Sequence, residues 1–216
     1  MDYTKVLKDG LKQSRLSGIA EVAADKPLTP GLRMWVPDER IPVDVCNKIL
    51  ESSSEDFGPG TVVNKDGPNQ ESPIRKTKVH FGNQQWVYDL VWPYMQAANL
   101  NADWHFNISA AEDYQIGKYE VGMFYGVHLD GSGTWGSRRI DASKPNLHNK
   151  ARKLSMTVLL NDDYEGGDLN LFGYENLKKE IGTMCFFPSF MPHEVTPVTK
   201  GTRYSLVMWF VGRPWY

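Results

Sequence analysis

The second half of the chain alternates short β-rich runs with clusters of turn residues, and this pattern constrains the fold more than any other feature. The runs are rich in aromatic and β-branched residues, and Gly, Pro, Asn and Asp separate them at fairly regular spacing. In order they are AAEDYQIGKYEVGMFYGVHLD, RKLSMTVLLND, GGDLNLF, GTMCFFPSF, HEVTPVT and TRYSLVMWFVG. Such spacing is typical of an antiparallel sandwich or barrel. We therefore predict a β core built from residue 110 onward.

The first half of the chain predicts helices that support this core. Apolar residues recur at helical spacing after Pro42 and again in NQQWVYDLVWPYMQAANL. Residues 1–30 are interpreted as an N-terminal arm or short helix, and residues 57–76, rich in turn residues, as a long loop or mobile finger. With 216 residues, 41% of them hydrophobic, the chain suits one sizeable core. We predict an α+β fold with a single domain over residues 31–216.

Charge and cysteine content disfavour several kinds of partner and compartment. A net charge of −2 gives no reason to expect nucleic acid or an anionic membrane surface as a partner. The sequence contains no apolar run long enough to span a bilayer, and its N-terminus lacks the apolar stretch of a secretory signal. Cys46 and Cys185 show no metal-type spacing. The chain is therefore expected in a reducing cytoplasm.

A histidine and an aspartate, two residues apart, end the run YGVHLD. In an extended strand His128 and Asp130 project to the same face. His193 in FPSFMPHEVTPV offers a third ligand. Two imidazoles and one carboxylate with open positions form the facial triad of non-haem Fe(II) oxygenases. The alternative is an ordinary strand end and an ordinary turn histidine.

A second group of side chains predicts a site for an anionic cosubstrate such as 2-oxoglutarate. Arg203 and Ser205 in GTRYSLVMWF share one strand face. A guanidinium offers a bidentate fork to a carboxylate, and a hydroxyl adds one hydrogen bond. Tyr119 supplies a phenolic donor. As alternatives, Arg203 pairs with an acid such as Glu194, Ser205 is a structural hydroxyl and Tyr119 is a core residue.

Other polar and aromatic residues are given structural roles. Asp168 in GGDLNLF is interpreted as a hairpin residue, and the remaining histidines as structural or surface residues. Met123 and Tyr125 are expected to form walls near the site, or else to be plain packing residues. Trp209 is expected to pack in the core or behind the residues of the site. Residues 131–153, which include Trp135, Arg138 and Arg139, are a candidate lid over the site, or else a solvated loop.

From about Ile74 to Pro214 the chain resembles the Fe(II)/2-oxoglutarate-dependent dioxygenases, in their prolyl-4-hydroxylase-like branch. YEVGMFYGVHLD is similar to the segment carrying that branch's HxD motif, and RKLSMTVLLNDDYEGGDLNLF to the strands and hairpin that follow. GTMCFFPSFMPHEVTPVTKGTRYSLVMWF resembles the segment with the distal histidine and the cosubstrate anchor. One departure is that collagen-type prolyl hydroxylases usually have lysine where Arg203 stands.

This resemblance implies a double-stranded β-helix (jelly-roll) core with supporting N-terminal helices. It implies that His128, Asp130 and His193 ligate Fe(II), and that Arg203, helped by Tyr119, holds 2-oxoglutarate. The implied reaction uses dioxygen, with L-ascorbate as a possible reductant, and hydroxylates a peptidyl prolyl residue while releasing succinate and CO2. The alternatives are a hydroxylase of a free amino acid or small metabolite, a zinc hydrolase and a non-catalytic jelly-roll binding module.

Overall fold

A computed structural model describes residues 34–53, 56–64, 67–70, 73–131, 145–171 and 177–215. The arm predicted for residues 1–30 lies outside these residues, as do Trp135, Arg138 and Arg139 of the candidate lid. The single domain predicted for residues 31–216 therefore stays a prediction.

Two α-helices occur where the apolar spacing predicts them. Helix α1 (Val43–Ser52) begins directly after Pro42, and it buries Val45, Cys46 and Ile49. Helix α2 (Gln85–Asn101) continues through Pro93 and buries one apolar stripe against the sheet. A short 3₁₀ helix spans Pro145–Leu147. No helix among the residues described here has both the length and the apolar character needed to cross a membrane.

Fifteen strands are present in the described part of the chain. In chain order they are β1 (Gly58–Pro59), β2 (Val62–Asn64), β3 (Gly67–Gln70), β4 (Arg75–Lys76), β5 (Lys78–Gly82), β6 (Ala110–Ala111), β7 (Tyr114–Tyr119), β8 (Phe124–His128), β9 (Ala151–Leu159), β10 (Glu165–Gly166), β11 (Leu169–Leu171), β12 (Met184–Pro188), β13 (His193–Val195), β14 (Val198–Lys200) and β15 (Arg203–Gly212).

These strands form two main antiparallel sheets. The larger sheet has the order β1-β5-β7-β15-β9-β12, with β6 also pairing with β15. The smaller sheet has the order β11-β13-β8-β4, and β2–β3 and β10–β14 form separate pairs. Strands distant in the sequence are neighbours in both sheets, as in a jelly roll. The α+β prediction is confirmed.

The main hydrophobic core lies between the larger sheet and the two helices. Alternate residues of β9 and β15 point toward the helices, where the apolar stripes of α1 and α2 cover them. The intervening residues of the same strands face the smaller sheet. The larger sheet is thus apolar on one face and free to carry polar side chains on the other.

The segment 57–76 differs from the loop predicted for it. Its described part contains β1, which pairs with β5, the β2–β3 pair, and β4, which pairs with β8. The Gly, Pro and Asn residues that suggested a loop therefore lie partly in short edge strands, where such residues are tolerated. The predicted loop 131–153 also ends earlier than expected, because β9 begins at Ala151.

Candidate active site

Two strands of the smaller sheet bring the predicted metal ligands together. His128 of β8 and His193 of β13 are direct cross-strand partners, and Asp130 follows two residues after the end of β8. The His128 Nε2 atom lies 3.6 Å from Asp130 Oδ1, and the His193 Nε2 atom lies 3.5 Å from Asp130 Oδ2. The three ligand atoms all lie within 4.8 Å of one another. This arrangement has the dimensions of a mononuclear metal site.

Backbone carbonyl groups orient both imidazoles. The Nδ1 atom of His128 lies 2.9 Å from the Gly126 carbonyl oxygen, and that of His193 lies 2.9 Å from the Met191 carbonyl oxygen. Because a carbonyl oxygen only accepts, each Nδ1 carries a proton, and in the neutral ring each Nε2 therefore keeps a free lone pair. Metal-binding histidines are commonly oriented in this way. Tyr125 stacks on the His128 ring at 3.5 Å between centroids and limits its rotation.

The electrostatics of the site lower the pKa values of Asp130 and His193. Burial alone would raise the pKa of Asp130, but His193, His128 and the nearby Arg152 outweigh it and hold that pKa well below its usual range. Burial is the largest influence on His193 and lowers its pKa, which favours the neutral imidazole. One carboxylate and two neutral imidazoles are the donor set that suits Fe(II). The residues present therefore fit the metal that the sequence predicted.

Two buried serines support the aspartate. Ser155 of β9 donates from Oγ to Asp130 Oδ2 at 2.7 Å, since a carboxylate with a low pKa only accepts. The Ser155 and Ser189 hydroxyl oxygens are 3.0 Å apart. The single Ser155 proton is used on Asp130, so Ser189 is the donor in that contact. The result is a relay of two hydrogen bonds that ends on one carboxylate oxygen.

We expect Ser155→Ala to weaken Fe(II) binding by about 10-fold, because removing a partner of a metal ligand typically costs 10- to 100-fold in affinity. Anaerobic calorimetric titration with Fe(II) measures the change. Ser189→Ala is the matched control, since its hydroxyl reaches Asp130 only through Ser155, and its effect should be smaller. Equal metal affinities in wild type and Ser155→Ala would contradict the supporting role.

Arg152 was not predicted as a site residue, yet it contacts the backbone of the turn that carries Asp130. Its Nη1 atom donates to the Asp130 carbonyl oxygen at 3.2 Å. Its Nε and Nη2 atoms donate to the two carboxylate oxygens of Glu112, each at 2.8 Å. The guanidinium lies 3.7 Å from the centroid of the Trp209 ring. Trp209 is therefore a site wall rather than only a core residue.

The predicted cosubstrate residues gather on the larger sheet, facing the metal ligands. Arg203 of β15 and Tyr119 of β7 are direct cross-strand partners, and the guanidinium lies 5.1 Å from the centre of the Tyr119 ring. Arg203 is only 3% exposed. Its Nη1 donates to Ser205 Oγ at 2.9 Å, so Ser205 orients the guanidinium. Burial is the largest influence on Tyr119 and raises its pKa, which keeps the phenol protonated.

The buried Arg203 charge has no carboxylate partner among the described residues. Its Nε atom has no hydrogen-bond partner there. The alternative partner Glu194 instead accepts a hydrogen bond from Asn170 at 3.0 Å. A buried cation without a counter-ion is costly. The arrangement therefore fits an anionic ligand, and 2-oxoglutarate carries the required carboxylate.

The GGD hairpin packs against Arg203 and so forms one wall of this anion-binding site. Gly166 and Gly167 have φ values of +71° and +59°, which favour glycine. A Cβ atom on Gly167 would lie 3.0 Å from Arg203 Cδ and 3.0 Å from a Val198 methyl carbon. The glycine pair thus allows the hairpin to pack directly against the anchor.

One cavity of about 270 Å³ contains both groups of residues. Its wall also includes Arg75 and Gln115, which were not predicted as site residues. Arg75 donates to Gln115 Oε1 at 3.2 Å, and its guanidinium lies 4.6 Å from the Tyr125 ring. Arg75 lies in the segment 57–76 that was predicted as a loop, and no spacing rule in the sequence linked it to His128.

Asp168 and the three other histidines, which were given structural roles from the sequence, are not among the residues that line the site cavity. Asp168 forms an ion pair with Lys179 at 2.7 Å, in keeping with a hairpin role. His105 is exposed and lies 2.6 Å from Asp103. The other two histidines are also away from the metal ligands: His80 is half-buried beside the Asp56 carbonyl group, and His148 is exposed. Met123 packs with Tyr119 in a small cluster next to the cavity.

Comparison with known sequences gives a consistent set of similarities. A family model described as the 2OG-Fe(II) oxygenase superfamily matches residues 114–211. A PKHD-type hydroxylase of Cupriavidus metallidurans is 33% identical over 192 residues, which cover 81% of this chain and 75% of that protein. A PKHD-type hydroxylase of Alteromonas mediterranea is 38% identical over 98 residues, which cover 43% of this chain. That alignment spans 40% of the Alteromonas protein, less than half of its length.

Solved structures share the fold at low sequence identity. A prolyl-4-hydroxylase of Pseudomonas putida superposes with a TM-score of 0.60 at 20% identity, covering 84% of this chain and 93% of that one. A viral collagen prolyl hydroxylase from Paramecium Bursaria Chlorella virus-1, determined with 2OG, gives 0.59 at 17% identity, covering 86% and 99%. A Trichoplax adhaerens prolyl hydroxylase in complex with a peptide fragment gives 0.58 at 14% identity, covering 97% and 94%. The predicted jelly-roll core is confirmed.

Proposed function

The chain belongs to the 2OG-Fe(II) oxygenase superfamily, and we propose that it is an Fe(II)- and 2-oxoglutarate-dependent dioxygenase that hydroxylates an unactivated C–H bond. The observation that carries this proposal is the position of the buried Arg203, which has no carboxylate partner among the described residues, in the same cavity as the predicted metal ligands. A metal site alone suits many reactions. A metal site facing a buried cation suits a cosubstrate that chelates at one end and is anionic at the other.

In this proposal each group of residues has one task. The Nε2 atoms of His128 and His193 and the carboxylate of Asp130 hold Fe(II), and the Arg203 guanidinium holds the far carboxylate of 2-oxoglutarate. Ser205 keeps that guanidinium in place, and the Tyr119 ring covers it. Bound Fe(II) supplies the oxidising chemistry, in which one oxygen atom of O2 enters the substrate and the other enters succinate as CO2 is released. L-Ascorbate is the proposed reductant for iron that oxidises without substrate.

The proposed substrate is a peptidyl prolyl residue. One support is that the similar structures include prolyl hydroxylases, one of them with a bound peptide. Another is an open groove of about 550 Å³ that shares Arg75 with the site cavity. A free amino acid or small metabolite is the second candidate, because the site cavity itself has only small-molecule dimensions. The protein is proposed to work in the cytoplasm.

The proposal predicts succinate formation from 2-oxoglutarate by protein loaded with Fe(II) under anaerobic conditions and then exposed to air. Mass spectrometry of succinate detects slow turnover even without the substrate. Peptide and metabolite libraries are then screened, and the substrate is the molecule that gains one oxygen atom. If no succinate forms, 2-oxoglutarate is titrated into the Fe(II) protein to look for a metal-to-ligand charge-transfer band. Absence of both signals would refute the dioxygenase and favour a non-catalytic jelly-roll binding module.

A further inference from the structure

Strand β9 contains one extra residue at its pairing with β15. Leu154 pairs with Phe210 and Arg152 pairs with Val211, so Lys153 has no partner position on β15. This is the definition of a β-bulge, in which two residues of one strand face one residue of the next. On its other edge β9 stays regular, because the Ser189 N–H donates to the Lys153 carbonyl oxygen at 3.0 Å. The irregularity is therefore local to the β9–β15 pairing.

The bulge changes which side chains reach the metal site. Arg152 and Ser155 are three residues apart and would project to opposite faces of a regular strand. Here both contact Asp130, Arg152 through the backbone carbonyl oxygen at 3.2 Å and Ser155 through Oδ2 at 2.7 Å. In an unbulged β9, Lys153 would face the cavity and Arg152 would face the hydrophobic core. The bulge thus places Arg152, rather than the adjacent Lys153, beside the turn that carries Asp130.

The extra residue packs against aromatic side chains and is not among the residues that line the site cavity. Lys153 is 1% exposed, and its Nζ atom lies 3.7 Å from the centroid of the Trp215 ring. Trp215 packs edge-on against Phe106 and Phe190, at 5.4 and 5.3 Å between centroids. Nζ has no hydrogen-bond partner among the residues the structure describes. Its ammonium group instead makes the cation–π contact with the Trp215 ring. Burial lowers the pKa of Lys153 to about 8.

We propose that Lys153 and Trp215 are positioning residues that pin the β9 bulge and so keep Arg152, rather than Lys153, beside Asp130. This inference rests on the proposed metal site. Its physical content is a choice between two registers of one strand, decided by the cation–π contact of the extra residue. Trp215 acts on the metal site only through this choice.

The test is a double-mutant cycle on Fe(II) affinity, measured by anaerobic calorimetry. Trp215→Ala is expected to weaken Fe(II) binding by about 10-fold, the lower end of the range for outer partners of metal ligands. Trp215→Phe keeps an aromatic face and should restore most of the affinity. The second arm repeats Trp215→Ala in a protein carrying Arg152→Met and Glu112→Gln, which removes both charges of the buried pair and leaves neither unpaired. In that background Trp215→Ala should change the Fe(II) affinity less than 2-fold.

The outcomes separate this inference from the proposed function. Wild-type protein that binds no Fe(II) refutes the metal site itself. Normal Fe(II) binding by wild type with an equal affinity in Trp215→Ala overturns the pinning role alone. A loss of the same size in both backgrounds also overturns it, because a general loosening of the fold acts whether or not Arg152 is present. If Trp215→Ala does not fold, Lys153→Ala is put through the same cycle with the same expectations.

Discussion

His193→Ala is expected to abolish stoichiometric Fe(II) binding and the succinate formation that depends on it. The substitution removes one of three ligand atoms and leaves Asp130 without the closer of its two histidine contacts, 3.5 Å away. Loss of outer partners alone costs 10- to 100-fold in metal affinity, so loss of a ligand should exceed about 100-fold. Anaerobic calorimetry measures the affinity, and mass spectrometry of succinate measures the turnover.

The matched control for this variant is His148→Ala, which removes an exposed histidine away from the three ligands. Its Fe(II) affinity and succinate yield should equal those of wild type. Circular dichroism verifies that both variants are folded. A His193→Ala protein that is folded and still binds one Fe(II) with wild-type affinity would contradict the ligand assignment.

Arg203→Met should raise the 2-oxoglutarate concentration needed for half-saturation by at least about 30-fold while leaving Fe(II) affinity nearly unchanged. Removing one member of a buried, hydrogen-bonded ion pair costs about 2 kcal/mol or more, which corresponds to that factor. Arg203→Lys keeps the charge but loses the bidentate fork, so its effect should be intermediate. Titration of 2-oxoglutarate into the Fe(II) protein, followed by the charge-transfer band, measures the affinity directly.

Lys200→Met is the control for this second prediction, because it removes a positive charge from an exposed ion pair between Lys200 of β14 and Glu165 of β10. Screened surface charges contribute little, so its 2-oxoglutarate affinity should match that of wild type. An Arg203→Met protein with wild-type 2-oxoglutarate affinity would show that the far carboxylate binds elsewhere. A parallel loss of Fe(II) affinity would instead indicate a damaged cavity.

The residues that follow the period of a regular strand could be predicted from the sequence. The two-residue spacing places Arg203 and Ser205 on one face, and the structure shows them in contact. The spacing of His128 and Asp130 places them together in the same way, and the antiparallel register adds His193. Helices α1 and α2 were predictable for a similar reason, since the apolar period alone determines which face is buried.

The residues that depend on irregular pairing could not be predicted. Arg152 and Ser155 appear in ARKLSMTV with a spacing that assigns them to opposite faces, and only the bulge in β9 brings both to Asp130. The edge strands of segment 57–76 were missed because their sequence is dominated by turn residues. Glu112 and Arg75 reach the site through contacts with residues far away in the chain, and no local pattern encodes such contacts.

The predicted metal ligands His128 and His193 lie in one sheet and the predicted anchor Arg203 in the other, so the gap between the sheets limits the length of a cosubstrate that reaches both. A keto diacid must chelate beside β8 and β13 at one end and reach Arg203 on β15 at the other. Because both sheets are tied into packed layers, the gap adjusts little to a molecule of another length. A four-carbon or six-carbon keto diacid is expected to satisfy one sheet at the expense of the other. We therefore expect the spacing of the two sheets to make the protein select keto diacids by chain length.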